Sequence, residues 1–252
     1  MASMMDSPRK GHLQQLFHIF AFLKVDHNGV MVFNPTAPDI DESCFKREDW
    51  SAATYGECGE ELPLNMPEAR GASLTLRAFV DSDHGDGTTT RRSRTGFTIF
   101  LNSAPIIWFS KKQPSVETSS FGFEFVAMKQ CWEYFRGLRY KLRMMGIPIP
   151  SHTFVFGDNQ SVLANTSRPH SILRKKSASI AYHFVREGVA KDAWQTTYLN
   201  THLNPSDMMT KSLSGGEKRT LFTSYFLHYL TYCYPMSING YVGGLSWLIS
   251  IS

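Results

Sequence analysis

The sequence predicts a mixed α/β fold: a five-stranded mixed sheet, three antiparallel strands then two from α/β units, flanked by helices. Three observations carry this expectation. Residues 74–81 alternate Leu74, Leu76, Ala78 and Val80 with Thr75, Arg77, Phe79 and Asp81, a period of two that marks a strand. Two further strand-like runs follow closely, separated by turn residues, before the apolar pattern switches to helical spacing. Beyond that helix, strand and helix patterns alternate, as they do where helices pack on a sheet.

Each element has its own grounds. His12 to Lys24 places Leu13, Leu16, Phe17, Phe20 and Leu23 at helical spacing and predicts an amphipathic helix with too little chain around it to be a domain. Residues 25–72 are rich in Pro, Asp, Glu and Gly, and read as a connector with little regular structure beyond a short strand at Gly29 to Phe33. The first long strand, Leu74 to Asp81, runs into a Gly-rich turn, and Gly96 to Leu101 and Pro105 to Ser110 complete an antiparallel meander across Asn102-Ser-Ala. Phe123 to Met145 is a long helix that turns Phe125, Val126, Trp132, Phe135, Leu138 and Leu142 to a core, with Lys129, Arg136, Arg139, Lys141 and Arg143 around it. Gly146-Ile-Pro ends it. Thr153 to Asp158 has too little polar alternation for an edge and is expected at the sheet centre. Asn159 to Asn165 and Ile172 to Ala190 read as helices, Ala193 to Leu199 as the fifth strand, and Asn204 to Leu213 as a final helix. Trp108 and Trp132 stand at core spacing, with no role in base stacking.

At 252 residues with 42% apolar side chains, the chain can build a packed core. Its formal charge is only +4, but Gly87 to Val116 has no acid and five bases, Arg91, Arg92, Arg94, Lys111 and Lys112. That stretch suggests a polyanionic partner, and a solvated basic hairpin is its plain alternative. Cys44, Cys58, Cys131 and Cys233 show no paired short spacing, so neither a zinc site nor a disulfide framework is expected. The first ten residues lack an apolar core behind a basic start, which argues against a secretory signal. After Arg219 there is no Asp, Glu, Lys or Arg, and Leu221 to Tyr234 is aromatic and apolar. Pro235, Asn239 and Gly240 interrupt that run before the roughly 20 residues a bilayer requires, so a packed helix to about Leu230 is expected and a membrane span is not.

Four acids hold comparable places. Asp81 ends the first strand, Glu124 opens the long helix, Asp158 ends the fourth strand and Asp207 opens the last helix. If the first and fourth strands are neighbours, these ends converge on one patch, where several carboxylates repel unless cations neutralise them. Hard oxygen ligands with room for water and phosphate describe a magnesium or manganese site, and two such ions about 4 Å apart support phosphodiester hydrolysis. Taken singly, each acid has a simpler explanation: an Asx-turn at Asp81, helix N-termini at Glu124 and Asp207, a cap at Asp158. Asp81-Ser-Asp83 after an apolar strand also looks like the short motif with which glycosyltransferases hold manganese, but that reading leaves the other three acids unused.

Trp108-Phe-Ser-Lys-Lys-Gln-Pro114, Ser119-Ser-Phe-Gly-Phe-Glu-Phe125, Gly157-Asp-Asn-Gln-Ser161, Tyr182-His-Phe-Val-Arg-Glu187 and Asp207-Met-Met-Thr-Lys211 resemble, in order and spacing, the ribonuclease H domain of copia-type retrotransposon polyproteins. The resemblance implies a ribonuclease H-like fold over residues 73–213. It makes residues 1–24 a remnant of the reverse transcriptase C-terminus, residues 25–72 a connector and residues 214–252 a tail. It places the metal-binding acids on Asp81, Glu124, Asp158 and Asp207, the set reached from strand and helix ends. The activity it implies is cleavage of the RNA strand of an RNA/DNA hybrid with two Mg2+ or Mn2+ ions, beside the reverse transcriptase of the parent polyprotein. The setting would be a cytoplasmic virus-like particle or the nucleus, not the secretory route. The chain departs from the pattern at Gly122, where many copia-type elements carry an additional acid, and near Ser177 and Ser179, where a histidine and an acid are frequent. The rival to an active nuclease is an inactive module of the same fold, a fragment of a decayed element that binds nucleic acid or serves only as structure.

Three smaller expectations complete the site. His202, in the loop before Asp207, is placed to shuttle a proton to a leaving oxygen, or is a surface histidine without a task. Asn159 and Gln160 follow Asp158 and either hydrogen-bond a nucleic-acid backbone or cap the next helix. Arg91, Arg92, Arg94, Lys111 and Lys112 would contact phosphates without sequence preference.

Overall fold

The computed structural model describes residues 9–25, 27–56, 58–83, 91–117, 119–149, 152–173, 179–211, 213 and 216–229. Its centre is a five-stranded mixed sheet. Strands β2 (Leu76–Ser82), β3 (Arg94–Leu101) and β4 (Ala104–Lys112) form the expected antiparallel meander, and β5 (Thr153–Gly157) and β6 (Trp194–Tyr198) are added in parallel. The order across the sheet is β4-β3-β2-β5-β6, so β2 and β5 are adjacent and end at the same edge. The β3–β4 turn holds Asn102 at φ 52, and its side chain accepts from the Thr75 amide at 2.8 Å and donates to the Pro35 carbonyl at 2.7 Å.

One face of the sheet is covered by helices α2 (Ser120–Met144), α3 (Gln160–Ser167) and α4 (Ser179–Ala190). Leu76, Ala78, Val80, Phe97 and Ile99 pack there with Phe125, Met128, Trp132 and Phe135 of α2 and with Tyr182 and Val185 of α4. Trp132 stacks on Trp194 with centroids 4.0 Å apart. A side chain at Gly188 would place Cβ 1.7 Å from the Trp194 ring, so only glycine lets α4 lie this close to β6.

The opposite face is also closed, which the alternating pattern of β2 did not reveal. Phe79, Phe100, Phe154, Phe156 and Leu199 form a second apolar cluster, sealed by Phe45 and Phe226 from segments remote in sequence. Every residue of β2 is consequently buried. Phe45 follows the short 3₁₀ turn Glu42–Cys44 inside residues 25–72, a segment poor in regular structure that nevertheless packs on the sheet. The same segment supplies Glu60, which pairs with Arg139 at 2.6 Å and Arg143 at 2.7 Å. These two arginines are buried rather than exposed around α2, because the acid that neutralises them lies some eighty residues earlier.

Other expectations shift. Helix α1 (Lys10–Val25) forms, but no residue of it is buried, and Leu13, Phe17, Phe20 and Leu23 are exposed. The expected strand at residues 29–33 shortens to β1 (Gly29–Val30), paired antiparallel with β7 (His228–Tyr229). Helix α4 begins only at Ser179; Ile172 and Leu173 are not helical, and residues 174–178, Ser177 among them, lie outside the described residues. The expected final helix contracts to the single turn α5 (Asp207–Thr210), because the segment before it is spent on side-chain contacts to β2. Helix α6 (Glu217–Ser224) follows and stops short of the expected end near Leu230, because residues 228–229 pair with β1 as a strand; residues 230–252 lie outside the described residues. Trp108 is not a core residue: on the edge strand β4 it is half exposed, while Trp132 is fully buried. Among the described residues no helix is long and apolar enough to cross a membrane.

Candidate nuclease centre

Because β2 and β5 run parallel, Asp81 near the end of β2 and Asp158 just after β5 emerge at one edge. Glu124 reaches them from the start of α2, whose N-cap Ser119 accepts from the Gly122 amide at 3.2 Å. One oxygen from each of Asp81, Glu124 and Asp158 lies within 4.8 Å of the other two. Asp81 is 1% exposed, and its buried Oδ1 has no hydrogen-bond partner among the described residues. Oδ2 accepts the hydroxyl proton of Thr210 and lies 3.6 Å from Lys211 Nζ. Asp158 Oδ2 accepts from Thr201 Oγ1 at 2.6 Å.

Burial pushes the Asp81 carboxyl up to about 7; Thr210 and Lys211 oppose that rise, and the nearby charges of Asp158 and Asp207 add to it. Burial, with the charges of Asp81 and Asp158, raises Glu124 well above the carboxylate range. An orphaned buried oxygen among converging carboxylates, with ionisation suppressed, is a donor set that fits a hard divalent cation.

Asp207 stands beside this triad in a different environment. Its Oδ1 accepts from Lys211 Nζ at 2.6 Å and its Oδ2 from Lys218 on α6. Burial raises its carboxyl, but the two lysines outweigh that and hold it below its ordinary value. Its position is fixed by the turn before α5: Asn204 donates to the Val80 carbonyl at 2.8 Å, and Ser206 donates to the Phe79 carbonyl at 2.6 Å. Gly96, opposite Asp81 on β3, leaves room for α5; a Cβ there would lie 2.5 Å from Thr210 and 2.8 Å from Met209.

The basic residues lie at the same edge. Arg94 opens β3 opposite Lys112, and Lys111 is opposite Thr95, one pair beyond Gly96 and Asp81. Arg94 donates to Ser110 at 3.2 Å, and Arg91, Arg92 and Lys111 are exposed. Asn159 caps α3 by accepting from the Val162 amide at 3.2 Å, while Gln160 is exposed on its first turn. His202 is exposed in the 3₁₀ turn Thr201–Leu203, next to the residue that bonds Asp158. Asp83 accepts from the Arg94 amide at 2.5 Å and helps close the sheet edge rather than standing in solvent.

Parts of the chain match known proteins in sequence. Over 145 residues, 58% of this chain, it is 29% identical to the retrovirus-related Pol polyprotein from transposon RE2 of Arabidopsis thaliana, of which the match covers 10%. Over 171 residues, 66% of this chain, it is 27% identical to the retrovirus-related Pol polyprotein from transposon TNT 1-94 of Nicotiana tabacum, of which it covers 12%. The chain is a relative of retrotransposon Pol polyproteins. It corresponds to about a tenth of their length. No family model matches the sequence. Among solved structures, the RNase H1 isolated from compost covers 55% of this chain at 10% identity with a TM-score of 0.40, and the RNase H1 of Halobacterium salinarum covers 55% at 12% with a TM-score of 0.39. The fold of this chain is a mixed five-stranded sheet in the order β4-β3-β2-β5-β6 with its helices.

Sequence reasoning did not single out Asn204, Ser206 or Lys218. The Asn-Pro-Ser-Asp run was legible as a turn, but which strand it would bond was not. Thr210 and Lys211 lay within a motif read only for its aspartate.

Proposed function

We propose that this Pol-related chain is a ribonuclease H that hydrolyses the RNA strand of RNA/DNA hybrids with divalent metal ions. The observation that carries this reading is the convergence of Asp81, Glu124 and Asp158 at the edge where two parallel strands end, with Asp81 Oδ1 buried and unpartnered among the described residues. Magnesium or manganese held by these three acids would supply an activated water and charge stabilisation at the departing oxygen. The chain's own residues do the rest. Arg91, Arg92, Arg94, Lys111 and Lys112 hold the hybrid by its phosphates. Thr201 and the β5 core fix Asp158, and Thr210 fixes Asp81, so these carboxylates need not reorganise. His202, exposed beside Thr201, donates a proton to the leaving oxygen. With Asn159 used as a helix cap, Gln160 is the member of that pair left to face a substrate. In a Pol polyprotein the hybrid would arise from the reverse transcriptase portion, as the resemblance implies. Incubation with a hybrid labelled on its RNA strand, with Mg2+ and separately with Mn2+, tests the proposal. RNA-strand cleavage with duplex DNA left intact is expected; a hybrid that is bound and left whole with both ions identifies an inactive binding module instead.

A further inference from the structure

Both oxygens of the Asp207 carboxylate are occupied by lysine. Oδ1 accepts from Lys211 at 2.6 Å and Oδ2 from Lys218, and the side chain is 2% exposed. The two cations come from different places. Lys211 lies four residues after Asp207, and its ammonium also approaches Asp81 Oδ2 at 3.6 Å, so it stands between the fourth acid and the triad. Lys218 sits on α6, outside the motifs that resemble the nuclease domain. The chain after α6 is anchored independently: Phe226 is buried in the aromatic cluster 6.1 Å from Phe100, and β7 pairs with β1. The fold therefore presents Lys218 to Asp207.

We propose that Asp207 is a seat for lysine rather than a metal ligand in this chain, and that the centre takes one divalent cation on Asp81, Glu124 and Asp158. Lys211 supplies the second positive charge from within the protein. The charges favour this: four ionised carboxylates are balanced by Lys211, Lys218 and a single divalent ion, whereas two ions with both lysines would leave a net positive charge. The shape of the site favours it too. Asp81 presents an unpartnered Oδ1, while its Oδ2 is taken by Thr210 and Lys211, so the open side of the site is the triad.

The inference rests on the metal-dependent reading above, and ion counting separates the two. Mn2+ is titrated into the whole chain at pH 8, with bound ion read by calorimetry and by loss of the free-ion paramagnetic signal. The titration is run with and without a hybrid whose RNA strand is 2′-O-methylated and cannot be cut. One ion is expected in both states. Lys211→Met should raise affinity at least about fivefold by removing a competing cation close to Asp81, and in that background, where no freed Lys211 can turn to Asp81, Asp207→Asn should keep the ion with affinity within about threefold. Two ions on the parent, or a loss of about tenfold or more when Asp207→Asn is added to Lys211→Met, overturns the lysine seat and leaves the metal centre standing. No saturable Mn2+ on the parent overturns both. The parent count needs no variant, so it decides the matter even if Lys211→Met does not fold.

Discussion

Asp81→Asn should stabilise the metal-free protein above neutral pH. Asp81 is 1% exposed, and burial holds its carboxyl at about 7 against an ordinary value of 3.8. Because the folded value is raised, the folded state binds this proton more tightly than the unfolded chain. The stabilisation is full below pH 4 and is lost as pH rises through about 7. At about 1.4 kcal/mol per unit, an ionised Asp81 costs the fold about 4 kcal/mol at pH 8. Asparagine keeps the shape, can still accept from Thr210 and carries no charge. Urea or thermal unfolding in chelator should therefore show the variant about 4 kcal/mol more stable at pH 8, a shift on the order of 10 °C, with the gap closing towards pH 4. Added Mg2+ should reverse much of this by stabilising only the parent, by about 2.7 kcal/mol at a hundredfold excess over its dissociation constant. A variant less stable than the parent at pH 8 in chelator would make Asp81 a settled ion-pair partner of Lys211 and not a carboxylate whose charge the fold resists.

Glu60 is held at about 2 against an ordinary 4.5, burial raising it and its bonds to Arg139 and Arg143 more than compensating, so its contribution is present above about pH 4.5 and lost as pH falls through about 2. Glu60→Gln should cost about 2–3 kcal/mol at pH 7 and almost nothing at pH 2, measured by urea unfolding. Replacing Arg91, Arg92 and Arg94 by Ala should flatten the salt dependence of hybrid affinity by about one unit for each phosphate no longer neutralised; an unchanged slope assigns them to solvent. Gly96→Ala would press Cβ against Thr210 and Met209 and should displace α5, weakening metal binding through Thr210 and Asp81 while the far side of the sheet keeps its hydrogen-exchange protection; full metal affinity would show that α5 does not position Asp81.

Much of the sheet could be read because its signals are local. The period of two over residues 74–81, the turn at Asn102 and the apolar run before Asp158 each specify an element without reference to the rest of the chain. The second face of β2 could not be read that way, since Phe45 and Phe226 that cover it belong to segments whose composition marks them as irregular or apolar tail. Arg139 and Arg143 looked like solvent-facing charges because Glu60, their counter-charge, is 79 and 83 residues away. Trp108 kept the spacing of a core residue but sits on an edge strand whose run from Ile106 to Phe109 is as apolar as that of the interior strand β5. At the site, strand and helix ends located Asp81, Glu124, Asp158 and Asp207, and the structure brings the first three together. Lys211 lay four residues on, in a motif read only for its aspartate, whereas Lys218 was out of reach: its contact depends on where α6 folds back, which no periodicity encodes.

The most direct test compares the parent with Asp158→Asn on a hybrid labelled in its RNA strand, at pH 8 with Mg2+ and with Mn2+. Asp158 follows a buried central strand and is bonded by Thr201, so asparagine should leave the fold intact while removing one ligand of the triad. The parent is expected to cut the RNA strand only when a divalent ion is present, and Asp158→Asn, folded to the same extent by thermal unfolding in chelator, is expected not to cut it. Cleavage by the variant at the parent's rate, or cleavage by the parent in chelator, would contradict metal-dependent cleavage at this triad.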